Sequence, residues 1–334
     1  MALSKIRNDS LADTAVHGRR NLIINGAMQV AQRSTSGTLS SAHNYFADRF
    51  RLSRMGSAGD VFDISVASDA PEGFKKSTKW TQDGTSVTLS GTNAYGAFQI
   101  IEGYNIQGLD LGSGTAKQLT VSFWVKCSLA IDLTVTLADD GNTTNVGKLY
   151  TINSADTWEY KTITFPAPTT GSFPIDNGIG LQLGFGIAGN GDSRKANKDS
   201  WGAANSAGSS VVYVDGADHT LATTSGATWQ LTGVQIEVGD TATPFEHRSY
   251  GEELALCQRY YFKEPGTVYG GRYGSGESFA GVSFPTTMRT SPTLSYSAVR
   301  TTTGLTAYRT KSTAQYLMSH TSGYVTGLEA DAEL

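Results

Sequence analysis

The chain has 334 residues, enough for one large domain with appendages or two modest ones. Gly, Ser and Thr supply about a third of it and only 17% is charged, which suits strands joined by turns and excludes coiled coils and long helices; with 39% apolar and 10% aromatic residues, wholesale disorder is excluded too. A net charge of -4 excludes a general basic field for nucleic acid.

Residues 1–20 are polar and without a sustained period, as expected of an arm ordered by a partner. Lys5, Arg7, Arg19 and Arg20 make this arm basic, and the charge of the remaining chain is acidic. Such a distribution suits docking onto an oppositely charged neighbour, and a strand edge guarded by Arg carries the same signature. Neither a stretch of signal-peptide length nor a run of ~18 apolar residues is present, so the expectation is synthesis in the cytoplasm without membrane insertion.

From Asn21, apolar residues alternate through Leu22, Ile24, Met28 and Val30, predicting a first strand broken at Asn25-Gly26. Tyr45 to Leu52 is the next segment. The clearest strand runs from Leu119 to Cys127, with Leu119, Val121, Phe123, Val125 and Cys127 on one face and Thr120, Ser122, Trp124 and Lys126 on the other; Ile131 to Leu137 repeats the period. Further strands are predicted at Trp158–Phe165, Ile179–Ile187, Val211–Asp215 and Trp229–Val238. In the last, apolar parity switches between Leu231 and Val234, which predicts one extra residue at Thr232 or Gly233. Between strands, residues 188–210 form a long Gly/Ala/Asn/Ser loop of the kind that is functional or disordered.

After Pro244 the period becomes helical. Ser249 and Glu252 form a capping box, and Tyr250, Leu254, Cys257 and Tyr261 recur at helical spacing, so one short amphipathic helix is expected over about 250–262, stopped by Pro265. Short strands follow at Ala280–Phe284, Thr293–Tyr296, Leu305–Tyr308, Gln315–Met318 and Tyr324–Leu328. The expected organisation is an arm (1–20), an all-β sandwich (21–248), which the resemblance described below implies is a jelly roll, a connector helix (249–263) and a small β-rich C-terminal domain (264–334). That last unit has few large apolar residues and is expected to gain stability from packing on the sandwich or on copies of itself.

The search for chemistry is mostly negative. Cys127 and Cys257 stand far apart at apolar positions and read as buried free thiols, not zinc ligands; the five histidines are isolated; no metal site is assigned. Gly270 to Gly276 lacks the Lys-Ser/Thr ending of a phosphate loop. Asp139-Asp140 is a carboxylate pair of the kind a glycosidase needs, and Asp139-Asp140-Gly141-Asn142 is also a turn sequence; the turn is preferred, and no catalytic residue or enzymatic activity is expected. His247, with Glu246 and Arg248, reads as a polar cluster at the helix entry. Aromatic residues such as Trp124, Trp158, Trp201, Tyr213 and Trp229 suit stacking on sugar rings, and the same rings suit covering the sandwich edge or a subunit interface. The glycan-binding candidates are Trp201 and Tyr213 with Asp192 and Asp199 on the long loop.

Specific strings carry a resemblance. Asn21-Leu22-Ile23-Ile24-Asn25-Gly26-Ala27-Met28-Gln29-Val30-Ala31-Gln32-Arg33, Asp48-Arg49-Phe50, Trp229 to Gly239, Ala242-Thr243-Pro244-Phe245-Glu246 and Arg248 to Tyr261 resemble segments of tailed-phage tail fibres and related virion appendages, marine phages especially. Phe284-Pro285, Met288-Arg289 and Ser291-Pro292 are similar to the same group. The first and last strands also resemble those of galactose-binding-type jelly rolls in carbohydrate-binding modules. The resemblance implies a virion structural protein, a tail fibre or spike subunit that recognises host-surface polysaccharide during adsorption. It also implies a homotrimer, with other virion proteins of tail or capsid as partners and the basic arm as the attachment. The alternatives are a capsid or tail decoration protein without receptor binding, and a free carbohydrate-binding or glycan-degrading protein. No cofactor is expected, although jelly rolls of this kind commonly hold a structural calcium ion under the first and last strands; its ligands are not assignable from the sequence.

Overall fold

Strand-forming residues dominate, and 23 strands and one α-helix form among the residues described by the structure, a computed structural model: 20–39, 44–56, 59–89, 91–189, 194–205, 210–272, 278–300, 305–318 and 323–334. They fall into two units, one made of Met1–Gln29, Thr35–Phe46 and Phe50–His247, the other of Val30–Ser34, Ala47–Arg49 and Arg248–Leu334.

The first unit holds β1 (Ser36–Thr38), β2 (Asn44–Tyr45), β3 (Arg51–Met55), β4 (Phe62–Ala67), β5 (Ser77–Gln82), β6 (Ala94–Glu102), β7 (Leu119–Cys127), β8 (Asp132–Ala138), β9 (Thr144–Thr151), β10 (Glu159–Phe165), β11 (Ile179–Gly189), β12 (Gly202–Ala203) and β13 (Thr228–Val238). One sheet runs β1-β4-β5-β13-β7-β10 and the other β12-β9-β8-β11-β6-β3-β2, all neighbours antiparallel. The chain passes between sheets at most connections from β5 onward, giving the all-β sandwich that the alternation predicts, of the jelly-roll kind that the resemblance implies. Val121, Phe123, Val125 and Leu231 of the first sheet, with Leu133, Val135, Leu183 and Phe185 of the second, are fully or almost fully buried between the sheets. Phe123 meets Phe185 and Tyr150 edge-on at 5.0 and 5.1 Å, and Trp80 meets Trp229 at 6.1 Å. Trp229 is therefore a core residue and no platform for a ligand: its parity with Leu231 turns it inward, and its indole N–H donates to the Tyr150 hydroxyl at 3.2 Å. The expected bulge is present in β13, where register shifts between Thr232 and Gln235 and Gly233 adopts φ +62°.

The first strand is not as predicted. Asn21 to Met28 is buried throughout, Ile23 included, and forms no regular strand, its backbone meeting β13 through Leu22 N–H to the Ile236 carbonyl at 3.1 Å and Val234 N–H to the Gly26 carbonyl at 3.0 Å. Its backbone is met by Gln99, a buried residue opposite Leu183 in the second sheet, whose amide donates to the Ile24 carbonyl and accepts from the Ile24 N–H, each at 2.8 Å. Val211 to Asp215, predicted as a strand, forms only an isolated parallel bridge, Lys195 with Tyr213.

That segment explains Gly147 and Gly186 of the second sheet. Residues 194–205 and 210–214 lie on its outer face, with Val211, Val214 and Ala196 buried beside Leu149. Backbone bonds hold them there: Val212 N–H to Arg194 O at 2.9 Å, Ala196 N–H to Tyr213 O at 2.8 Å, and Gly147 N–H to Asn197 O at 2.7 Å. A Cβ on Gly186 would stand 1.5 Å from the Val212 carbonyl oxygen, and one on Gly147 2.5 Å from Val214 Cγ1. Gly186→Ala is thus expected to lower unfolding stability by at least about 1–3 kcal/mol, the ordinary cost of overpacking, because the obstructing atom is backbone. Denaturant midpoints check this, and an unchanged midpoint would show that the segment is not seated on the glycines.

In the second unit, α1 (Tyr250–Gln258) starts as predicted, with Ser249 Oγ accepting from Glu252 N–H at 3.3 Å. It ends before Pro265 because Tyr261 to Lys263 leave as β14 and pair with β23 (Glu329–Asp331). Its buried side carries Glu253 and Cys257, whereas Tyr250 is exposed. The remaining strands are β15 (Thr267–Tyr269), β16 (Gly271–Arg272), β17 (Ser278–Ser283), β18 (Thr293–Ser295), β19 (Ala298–Arg300), β20 (Leu305–Arg309), β21 (Thr313–Met318) and β22 (Tyr324–Thr326). They make three small sheets, β14-β23-β18, β15-β22-β19 and β16-β17-β21-β20. Their apolar core is thin, five of its ten buried members being Ala or Val.

A buried polar cluster supplements it. The Arg49 guanidinium pairs with Glu333 and lies 3.5 Å over the Tyr260 ring; that of Arg33 lies 3.5 Å over Tyr261 and bonds Asp331 at 3.1 Å and Glu333 at 3.5 Å. Gln32 donates to Asp48 from its backbone at 3.0 Å and from its amide, which also reaches the Tyr261 carbonyl at 2.8 Å. Burial pushes the Glu333 and Asp48 carboxyls up, with the arginines pulling back.

Candidate functional site

The strings that carry the family resemblance turn out to be structural in the sandwich. Asn21 Oδ1 accepts from the N–H groups of Ile23 and Ile236 at 2.9 and 3.1 Å, and the Asn21 N–H donates to Glu246 at 2.6 Å. Glu237 accepts from Arg20 Nε at 3.1 Å, Gln235 Nε2 at 2.8 Å, Thr243 N–H at 2.9 Å and the Thr243 hydroxyl. A calcium ion beneath the first and last segments does not fit these residues, because guanidinium, amide and hydroxyl donors already point at the carboxylate oxygens that a cation needs. Among the described residues, no group of three or more His, Cys, Asp or Glu side chains is placed to hold a metal. Arg20, grouped with the basic arm in the sequence, has its guanidinium on Glu237 and on the Pro244 carbonyl at 2.7 Å; Lys5, Arg7 and Arg19 lie outside the described residues.

Asp139 is a turn-builder. Buried, it accepts from the N–H and hydroxyl of both Thr143 and Thr144 and from Ser172 N–H, at 2.6 to 3.1 Å. Asp140 beside it is raised by desolvation, and by the charges of Asp139 and Asp176. Both cysteines are free and buried, and burial pushes the Cys127 thiol up to about 11.

The loop candidates have separate partners. Trp201 donates its indole N–H to the Pro166 carbonyl at 2.8 Å and meets Phe173 edge-on at 5.8 Å. Tyr213 meets His219 edge-on at 5.4 Å, and His219, whose protonation burial disfavours, accepts from Gly189 N–H. Asp199 is exposed at φ +65°, its N–H on the Gly147 carbonyl at 2.9 Å. Asp192 lies outside the described residues.

On the outer face of the first sheet, register brings together a set that the sequence only half showed. Trp124 of β7 lies directly opposite Tyr160 of β10, their rings 5.4 Å apart, with Tyr160 44% exposed. In the next row, Lys79 pairs with Gln230 and Gln230 with Lys126. Asp69 gathers this row: its carboxylate accepts from Lys126 Nζ and Gln230 Nε2, each at 2.8 Å, and from the Trp158 indole at 3.2 Å. The Lys126 bond above all, then those of Trp158 and the charge of Lys79, hold this carboxyl below its usual range against desolvation. Phe74 continues the aromatic line: a Cβ on Gly233 would lie 2.8 Å from its ring and 3.0 Å from that of Trp124. His247, expected in a polar cluster, instead packs on Phe74 and Phe245 at 5.3 and 4.8 Å.

No protein-family model and no curated protein matches the sequence. Among solved structures, the chain is similar to the enzymatically active domain of tailspike protein 4 of bacteriophage CBA120 (15% identity, TM-score 0.36), with 66% of this chain covered and 21% of the other. It thus spans about a fifth of that protein's length. It is also similar to TmCBM61 in complex with β-1,4-galactotriose (10% identity, TM-score 0.32, 66% and 99% covered). A third likeness is to the family 11 carbohydrate-binding module of a cellulosomal cellulase of Clostridium thermocellum (13% identity, TM-score 0.30, 65% and 99% covered).

Proposed function

We propose that this chain is a glycan-binding subunit of a tailed-phage virion appendage, a tail fibre or spike, which meets host-surface polysaccharide without cleaving it. The observation that carries the glycan reading is the surface built by Trp124, Tyr160, Trp158, Asp69 and Gln230. Partly exposed rings suit the C–H faces of sugars, while the carboxylate and amide suit hydroxyls. Because the rings stand on paired strands, their spacing is fixed before a ligand arrives. The virion reading rests on the sequence resemblance, with the basic arm as attachment. Exposed Tyr269, Phe279, Tyr296 and Tyr308 on the thin-cored second unit support assembly as a homotrimer.

The test is binding of the full chain to an array of bacterial surface polysaccharides. Trp124→Ala and Tyr160→Ala are each expected to weaken binding about tenfold or more with an unchanged melting temperature, and to slow adsorption of particles that carry them. Loss of binding with Trp201→Ala instead would move the site to residues 194–205. No binding to any polysaccharide would overturn the reading.

A further inference from the structure

Charge around the aromatic line narrows the ligand class. Lys79 and Lys126 lie in one row of the first sheet, and Lys75 and Lys76 follow Phe74 directly in sequence. Against these four lysines stand Asp69, to which Lys126 is bonded at 2.8 Å, and Glu72. Of the neighbouring charges, Lys161 pairs with Glu159 at 2.6 Å, and Asp63, which accepts from the Thr38 hydroxyl at 2.7 Å, keeps its charge, so the four lysines still outnumber three carboxylates. A molecule of net charge -4 thus presents a local positive surface beside partly exposed rings. The field of such a surface repels nothing in a neutral sugar and gains only from an anionic one.

We infer that the outer face of the first sheet takes an anionic polysaccharide, its carboxylate or sulfate groups met by Lys79, Lys76 and Lys75 while its rings lie on Trp124, Trp158 and Tyr160. This inference rests on the glycan reading above and adds the charge of the ligand to it. Lys126 acts mainly by holding Asp69, so Asp69 is turned toward the protein's own donors and its repulsion of an anion is muted.

The experiment measures binding of the full chain to a panel of uronate polysaccharides and sulfated polysaccharides, each beside its carboxyl-reduced or desulfated counterpart. At least one anionic chain is expected to bind about tenfold or more tightly than its neutral counterpart. That preference should fade when salt is raised from about 0.1 to 1 M, which shortens the Debye length from about 10 to 3 Å. Lys79→Glu with Lys76→Glu should abolish it at an unchanged melting temperature, whereas Trp124→Ala should weaken anionic and neutral chains alike. Equal or tighter binding of the neutral counterparts overturns the inference and leaves the glycan reading intact. Failure of every chain to bind overturns both.

Discussion

Glu333→Ala is expected to destabilise the second unit by about 3–5 kcal/mol, the range for removing one partner of a buried ion pair. Glu333 is almost fully buried, and it neutralises two guanidinium groups, those of Arg49 and Arg33. Its loss removes the carboxylate paired with Arg49, a guanidinium only 2% exposed that also lies over the Tyr260 ring. Glu333→Gln keeps the shape and an acceptor oxygen and should fall between Ala and the parent. Because the sandwich has its own core, the loss should appear as an early transition confined to the second unit, seen by hydrogen exchange of β14 and β23 amides. If those amides keep their protection in Glu333→Ala, the cluster is not what holds this thin-cored unit together.

Trp229→Ala is expected to cost about 3–5 kcal/mol, as removal of a buried indole does elsewhere. The ring stands between Trp80 and Phe185, at 6.1 and 6.2 Å, and gives its N–H to Tyr150, so its loss opens a cavity and orphans a buried hydroxyl. The contrast with Trp124→Ala is the useful part. Two indoles on adjacent strands of one sheet should separate cleanly, one variant losing stability and the other losing ligand. A stable Trp229→Ala protein, judged by its denaturation midpoint, would contradict the packing described.

Much of this was legible in the alternation of Leu119 to Cys127, whose inward residues are all fully buried, and in the parity switch that marks the β13 bulge. Period-2 patterning reports which side of a strand is greasy, and there it suffices. It fails where both sides are covered. Ile23 reads as outward, yet Asn21 to Met28 is buried throughout, with Gln99 bonded to the Ile24 backbone. The glycines at 184 and 186 read as a featureless polar face; a Cβ on Gly186 would meet the Val212 backbone, more than twenty residues away in sequence, and one on Gly184 the side chains of Thr136 and Phe98. Trp124 and Trp158 stood out as rings at polar-parity positions. Tyr160, Asp69 and Lys79 did not, because the pairing of β10 with β7, and of β5 with β13, is a long-range fact that no local window contains. The cap marks the start of the helix, and Cys257 and Tyr261 of its apolar period are buried, but Tyr250 is exposed and Glu253, polar by type, is buried and pairs with Arg248 at 3.4 Å.

The second unit borrows Val30–Ser34 and Ala47–Arg49 from the early part of the chain, and its Arg49 and Glu333 are 284 residues apart. At a synthesis rate of about 5–20 residues per second, Arg49 waits roughly 14–57 s on the ribosome before its counter-ion exists. Once His247 has been made the sandwich has everything it needs, and the two borrowed segments do not. Folding in the cell is therefore ordered in time, the sandwich first and the Arg49–Glu333 cluster after Glu333 has been made.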